Sequence, residues 1–184
     1  MDLWHSIRQK WEQEGLPAPP GVIVEALSAF ERGYSVALPH AMRGYFEATN
    51  GNGGMDRDFY TFWPLEEMKP VREELVDPIH TDRFDYPDCY LFADYLLWCW
   101  AYAIHLTGDA ETNGPIYLVG GETPVVVAAT FLEFMQKYAA DPDSLMTGIS
   151  RKKNNLPQRI FDAFGVDQLS LEFDGLNSVE EEDR

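Results

Sequence analysis

Positive charge is scarce in this sequence: 14 Lys and Arg stand against 31 Asp and Glu in 184 residues, a formal net charge of −17. So acidic a surface repels phosphate backbones and anionic membranes, which argues against nucleic acid as a partner and against attachment to a membrane. Cysteine is scarcer still. Cys89 and Cys99 have no metal-ligand spacing and provide no disulfide framework, so a reduced, cytoplasmic setting is expected. Long apolar runs are missing too. The longest, residues 96–104, falls well short of the roughly 20 residues of a membrane-spanning helix, and residues 1–15 hold no apolar core of a secretory leader. A soluble protein is expected.

Catalytic patterns are equally thin. His5, His40, His80 and His105 are dispersed, with neither the i, i+4 pairing nor the Cys/His spacing of a zinc site. His80 with Asp82 and Asp85 comes nearest to a metal cluster and reads better as a solvated acidic loop. Asp56 and Asp58 after Gly53-Gly54 lack the twelve-residue ligand series of a calcium loop. Glu66-Glu67 and Glu73-Glu74 are adjacent pairs, which diverge on a helix or strand and cannot face one another as acid and base. No Gly-x-Ser-x-Gly turn is present, and the glycine-rich stretch 50–54 follows a helix instead of joining a strand to one. The expectation is a non-enzyme without metal or cofactor.

What the chain does have is apolar and aromatic content, 45% and 14% of its residues. That places it outside the disordered class despite its charge. Its length suits a single domain over residues 1–170, followed by an acidic tail over 171–184, and buries roughly two thirds of the unfolded surface.

Three helices precede any strand. The first spans 2–14, with Trp4, Ile7 and Trp11 at helical spacing and Gly15 at its end; a Pro-rich connector, 16–20, follows. Pro20 is placed to open the second, whose stripe is Ile23, Ala26, Leu27 and Phe30 before Gly33 stops it. The third starts at Leu38-Pro39, turns Met42, Tyr45 and Phe46 inward and ends at Asn50-Gly51. Strands are expected at 59–63, 90–95, 98–106, 116–119 and 124–129, with loops at Gly108, Asn113-Gly114 and Gly120-Gly121 that favour an antiparallel meander. Thr130 and Glu133 form a capping box for a helix carrying Phe131, Phe134, Met135 and Tyr138; Arg151–Lys153 is a basic patch and Pro157 opens a last short helix.

From Trp98 onward the alternation puts Trp98, Trp100, Tyr102 and Ile104 on one face and Cys99, Ala101, Ala103 and His105 on the other. The flat alanine face invites a helix, which leaves the bulky face as a second core or a partner surface. Asp94, inside an apolar strand, requires a hydrogen-bonded or edge position, either as a turn acceptor or as a partner contact. Trp63 beside Pro64 reads as core or as an interface anchor.

The order of several motifs resembles the SUKH superfamily, a group of α+β domains that includes fungal cell-wall-synthesis regulators and many bacterial immunity proteins. The motifs are Leu38-Pro39; Tyr45-Phe46 with Asn50-Gly51; Phe62-Trp-Pro-Leu65 with Glu66-Glu67; Leu91-Phe-Ala-Asp94; Trp100-Ala-Tyr-Ala-Ile104; Pro115-Ile-Tyr117; and Val127-Ala-Ala-Thr-Phe-Leu-Glu-Phe134. They span about 22–138. In the central hairpin, where many members have a glycine and a polar residue, this chain carries Tyr95-Leu-Leu-Trp98.

The resemblance implies an α+β fold, a mainly antiparallel sheet of five or six strands with helices packed on one side. It also implies a non-catalytic role: binding and neutralising a toxin, often a nuclease, delivered between competing bacteria. The charge agrees, because an acidic protein can occupy the basic groove that a nuclease presents to phosphate. The expected partner is thus a basic toxin domain, contacted through Trp63, Asp94, Trp98, Trp100 and Tyr102. The alternative is an adaptor organising a larger assembly, docked through the N-terminal helix with Trp4 and Trp11.

Overall fold

The computed structural model describes residues 2–74, 86–119 and 125–146, all within Met1–Lys152, the first of two units into which the chain divides. The expected Pro124 strand start, the His80 loop, the 151–153 basic patch, the Pro157 helix and the 171–184 tail lie outside the described residues. Three helices, α1 (Leu3–Gln13), α2 (Val24–Tyr34) and α3 (His40–Ala48), precede the strands β1 (Tyr60–Phe62) and β2 (Lys69–Pro70) and the single turn α4 (Val71–Glu74). There follow β3 (Cys89–Tyr95), β4 (Trp100–His105), β5 (Ile116–Val119), β6 (Val125–Ala128) and α5 (Phe131–Ala140). The sheet is antiparallel in the order β1-β3-β4-β5-β6, and β2 pairs with β3 alongside β1. The α+β architecture expected from the sequence is the one observed.

Local chemistry sets the boundaries. Gly15 ends α1 with φ +87, a conformation in which only glycine avoids a Cβ clash. α2 starts at Val24 and not at Pro20, because the connector is otherwise engaged. Pro20 bridges to Thr49, and the Val22 N–H donates to the Phe46 carbonyl at 2.8 Å. Ile23, expected in the buried stripe, is consequently 69% exposed ahead of the helix, while Leu27 is fully buried. The helix runs one residue past Gly33 and closes on Ser35 in the left-handed region. At α5 the Glu133 N–H donates to Thr130 Oγ1 at 3.1 Å, and Glu133 Oε2 accepts from the Ala129 N–H at 2.8 Å, one residue earlier than an ideal capping box.

The alternation along β4 holds from Trp100 onward, but the two faces are the reverse of the expectation. The bulky side faces the helices. Phe62, Phe92 and Tyr102 of the sheet meet Phe131, Phe134 and Tyr138 of α5, with ring centroids 4.7 to 5.5 Å apart for Phe62–Tyr138, Phe92–Phe131, Phe92–Phe134 and Tyr102–Phe134. Trp11 of α1 and Tyr45 of α3 complete this slab. The alanine side is not flat space for a helix, because neighbouring strands fill it. Ala103 lies between Leu91 and Tyr117, and Ala101 between Asp94 and Val119. With Trp63, Val71 and Tyr86 these form a second, smaller cluster. Small residues on the central strand thus accommodate large ones on both sides, which packs the face without strain.

A polar network ties the loop after α3 to the helices. Trp11 Nε1–H donates to Tyr138 Oη at 2.6 Å, and Tyr138 Oη donates to buried Asp56. Asp56 Oδ1 accepts from the N–H groups of Asp58 at 3.0 Å and Tyr60 at 2.8 Å. Asn52, also buried, pairs with β1 as a strand would: its Nδ2 donates to the Tyr60 carbonyl at 3.1 Å and its Oδ1 accepts from the Phe62 N–H at 3.0 Å. Tyr138→Phe removes the hydroxyl at the centre of this network and leaves two buried groups short of a partner. It is expected to lower the unfolding free energy by about 1–3 kcal/mol. A urea denaturation midpoint that falls with an unchanged slope would show this.

Candidate functional site

Three of the five residues singled out from the sequence come together, and a bend in one strand is the reason. Leu91 pairs with Ala103 and Ala93 with Tyr102, so Phe92 is an extra residue in β3. This bulge lets Phe92 and Ala93 both face the principal core and returns Asp94 to the face of Leu91. Without it, strict alternation would aim the Asp94 carboxylate into the aromatic slab.

On the second face Asp94 is only 4% exposed and fully used. Its Oδ2 accepts from Trp63 Nε1–H at 2.7 Å and its Oδ1 from the Trp98 backbone N–H at 3.1 Å. The carboxylate therefore fixes two tryptophans at once, and their rings lie 4.8 Å apart at 45°. Trp63 is buried; Trp98 is half-buried. Trp98 is not in the strand, which begins at Trp100. It belongs to the turn 96–99, in which Leu96, Leu97 and Trp98 have φ of +50, +53 and +70. Each such non-glycine residue costs on the order of 1–2 kcal/mol, so the turn persists only because its surroundings dictate it. Besides the Asp94 bond, the Leu96 N–H donates to the Phe59 carbonyl at 2.8 Å and the Cys99 N–H to the Leu96 carbonyl at 3.2 Å.

Trp63, Trp98 and Asp94 line a groove of about 610 Å³, together with Thr61, Tyr34, Met68, Lys69, Glu66, Glu67, Glu73 and Glu74. Among the described residues, five carboxylates and one basic side chain line this groove. Lys69 is itself paired with Glu74, and its ammonium lies 5.8 Å from the Trp63 ring centroid. The other two candidates are elsewhere. Tyr102 has no exposed surface and belongs to the principal core, and Trp100 packs against that core from its margin.

Sequence reasoning weighed the glutamate pairs as catalytic carboxylates, and Glu66-Glu67 also within a family motif, and did not place them as a rim beside Trp63 and Trp98. The signal was their density: Glu66, Glu67, Glu73 and Glu74 follow Trp63 within eleven residues, counting from 64 to 74.

A model of the SMI1/KNR4 family (SUKH-1) matches residues 21–137. The chain belongs to this family. No curated protein matches it. The match begins before α2 and ends inside α5, so the SUKH-1 region contains the whole described sheet, both faces and the groove.

Among the described residues of this SUKH-1 chain, no three His, Cys, Asp or Glu side chains gather in a way that would hold a metal ion. No helix among them is long and apolar enough to cross a membrane. Both cysteines are free and buried, and burial pushes the thiols up to about 12 for Cys89 and about 11 for Cys99, which leaves almost no thiolate to act as a nucleophile.

Burial also pushes the Asp94 and Asp56 carboxyls above the ordinary carboxylate range, and the hydrogen bonds they accept draw them only part of the way back. A carboxyl raised in the fold favours the folded state when protonated. That contribution is complete below the unfolded value of about 3.9 and is lost as pH rises through the folded value. Self-repulsion at a net charge of −17 acts in the same direction. The urea midpoint is therefore expected to rise as pH is lowered from neutrality towards the unfolded carboxylate value of about 3.9. Asp94→Asn should flatten that rise and cost about 1–3 kcal/mol at neutral pH, because an amide offers one acceptor to two donors. Leu97→Gly relieves one left-handed residue at an exposed side chain and should raise stability by about 0.5–1 kcal/mol, read from the same denaturation curves.

Proposed function

We propose that this SUKH-1 chain is a non-catalytic protein-binding domain that acts in the cytoplasm as an immunity protein, occupying the basic surface of a toxin such as a nuclease. The observation that supports this most is the groove: an aromatic floor, held rigid by Asp94, with carboxylates outnumbering cations five to one among the described residues. Such a site binds without chemistry. Two tryptophans supply apolar anchor area, and the rim supplies charge complementary to a surface evolved for phosphate. The overall charge of −17 adds long-range steering of a basic partner.

The adaptor alternative rested on α1 as a detachable docking element. Trp11 is fully buried and hydrogen-bonded to Tyr138, and Trp4 packs on Tyr45 and Phe131. The helix packs into the principal core, so its removal is expected to lower the stability of the domain, and loss of a partner on truncation would not by itself mark α1 as a docking element.

The test begins with the intact chain as bait in lysate of its own source cell, with retained proteins identified at low and high salt. A captured basic protein is then expressed alone and together with the bait. The expected result is growth arrest by the partner alone, rescue by the native chain, and loss of rescue with Glu67→Lys/Glu73→Lys. Its association rate should fall about ten-fold or more when salt is raised from about 0.05 to 0.5 M, with little change in dissociation. A harmless partner, or binding indifferent to both salt and charge reversal, would overturn the reading.

A further inference from the structure

We infer that the groove is a receptor for an arginine side chain of the partner, stacked on Trp98 between the carboxylates of Glu67 and Glu73. This names the chemistry recognised at the binding site proposed above and rests on that reading for the partner's identity.

Three observations carry it. Trp98 is half-buried and lines the groove, and Trp63 packs against it with ring centroids 4.8 Å apart. The groove already handles one cation in this way: Lys69 reaches over the Trp63 ring while its ammonium is paired with Glu74. Among the described residues no cation occupies the equivalent place on Trp98. The rim is unevenly satisfied as well. Glu74 is neutralised by Lys69, and Glu66 accepts a hydrogen bond from Asn50 Nδ2 at 3.0 Å, whereas Glu67 and Glu73 are exposed on the lining of the same groove.

Arginine fits this arrangement better than lysine. A planar guanidinium can stack on an indole and still direct N–H donors sideways to two carboxylates, whereas an ammonium is a strongly hydrated point charge. The left-handed run 96–98 places the ring there in advance, so little ordering remains to be done when the ligand arrives.

The test uses the full chain and the peptide acetyl-Gly-Arg-Gly-amide, followed through the indole N–H signals of the five tryptophans. The expected result is a saturable shift confined to Trp63 and Trp98, absent when arginine is replaced by neutral, isosteric citrulline. Trp98→Ala and Glu67→Gln/Glu73→Gln should each weaken binding about five-fold or more, with the remaining indole signals confirming an intact fold. Equal shifts with citrulline, equal affinity for the lysine peptide, or shifts spread over all five indoles would each overturn the inference. Because no toxin is involved, failure here is separable from failure of the immunity reading, which the growth test decides.

Discussion

Ring-on-ring packing between the sheet and α1, α3 and α5 is the interaction on which everything else stands. Phe62, Phe92 and Tyr102 present a continuous aromatic surface, and the helices carry its counterpart in Trp11, Tyr45, Phe131, Phe134 and Tyr138. Each such ring buries on the order of 150–250 Å², and most of the apolar driving force is concentrated in this one layer. Its polar edges are closed from within, since Tyr138 joins Trp11 to Asp56 and so fixes the loop before β1. With one face of the sheet committed in this way, the opposite face is free of the duty of holding the helices.

That freedom is what the second face uses. The bulge at Phe92 supplies an extra core residue and, by shifting the alternation, delivers Asp94 to the far side. A carboxylate buried there must be fully satisfied, and it is satisfied by the Trp63 indole and the Trp98 backbone. The second of these bonds, with those from Leu96 to Phe59 and from Cys99 to Leu96, holds the turn 96–99 in its left-handed course. One inserted residue in a strand therefore links the principal core to the geometry of the groove.

Much of the fold was legible in the sequence, and the misses have definite causes. The 3.6-residue stripes of α1 and α3, the Thr130–Glu133 cap and the period-two stretch 100–104 announced their elements because local chemistry and burial agree there. The start of α2 was misread because Pro20 is occupied by a tertiary contact with Thr49, which no local signal encodes. The faces of β4 were exchanged because the alanines are covered by residues of β3 and β5, and pairing partners are invisible from one strand alone. Trp98 was placed in a strand because Leu-Leu-Trp-Cys contains no glycine to mark a left-handed turn. For the site, Trp63, Asp94 and Trp98 were recognisable as residues in need of an explanation. Tyr102 was not separable from them, since alternation says which residues share a face and not which face meets the helices.

Several unfavourable features of this chain fall together around Trp63 and Trp98, while buried Asp56 and left-handed Ser35 lie elsewhere. Three consecutive non-glycine residues with positive φ, a buried ionisable carboxylate and a rim of like charges each oppose folding. Leu97 is 50% and Phe59 45% exposed beside that turn, where polar side chains would be better solvated. Placed at random, such features would be removable one by one, and a glycine at 97 or an amide at 66 or 67 would be an easy local change. Their concentration around Trp63 and Trp98 agrees with the binding role proposed for the groove: rigidity, exposed apolar area and negative potential are each costly to an isolated domain and each would serve a surface that recognises a cationic partner. On that proposal, local rules are broken where binding, and not folding, sets the requirement.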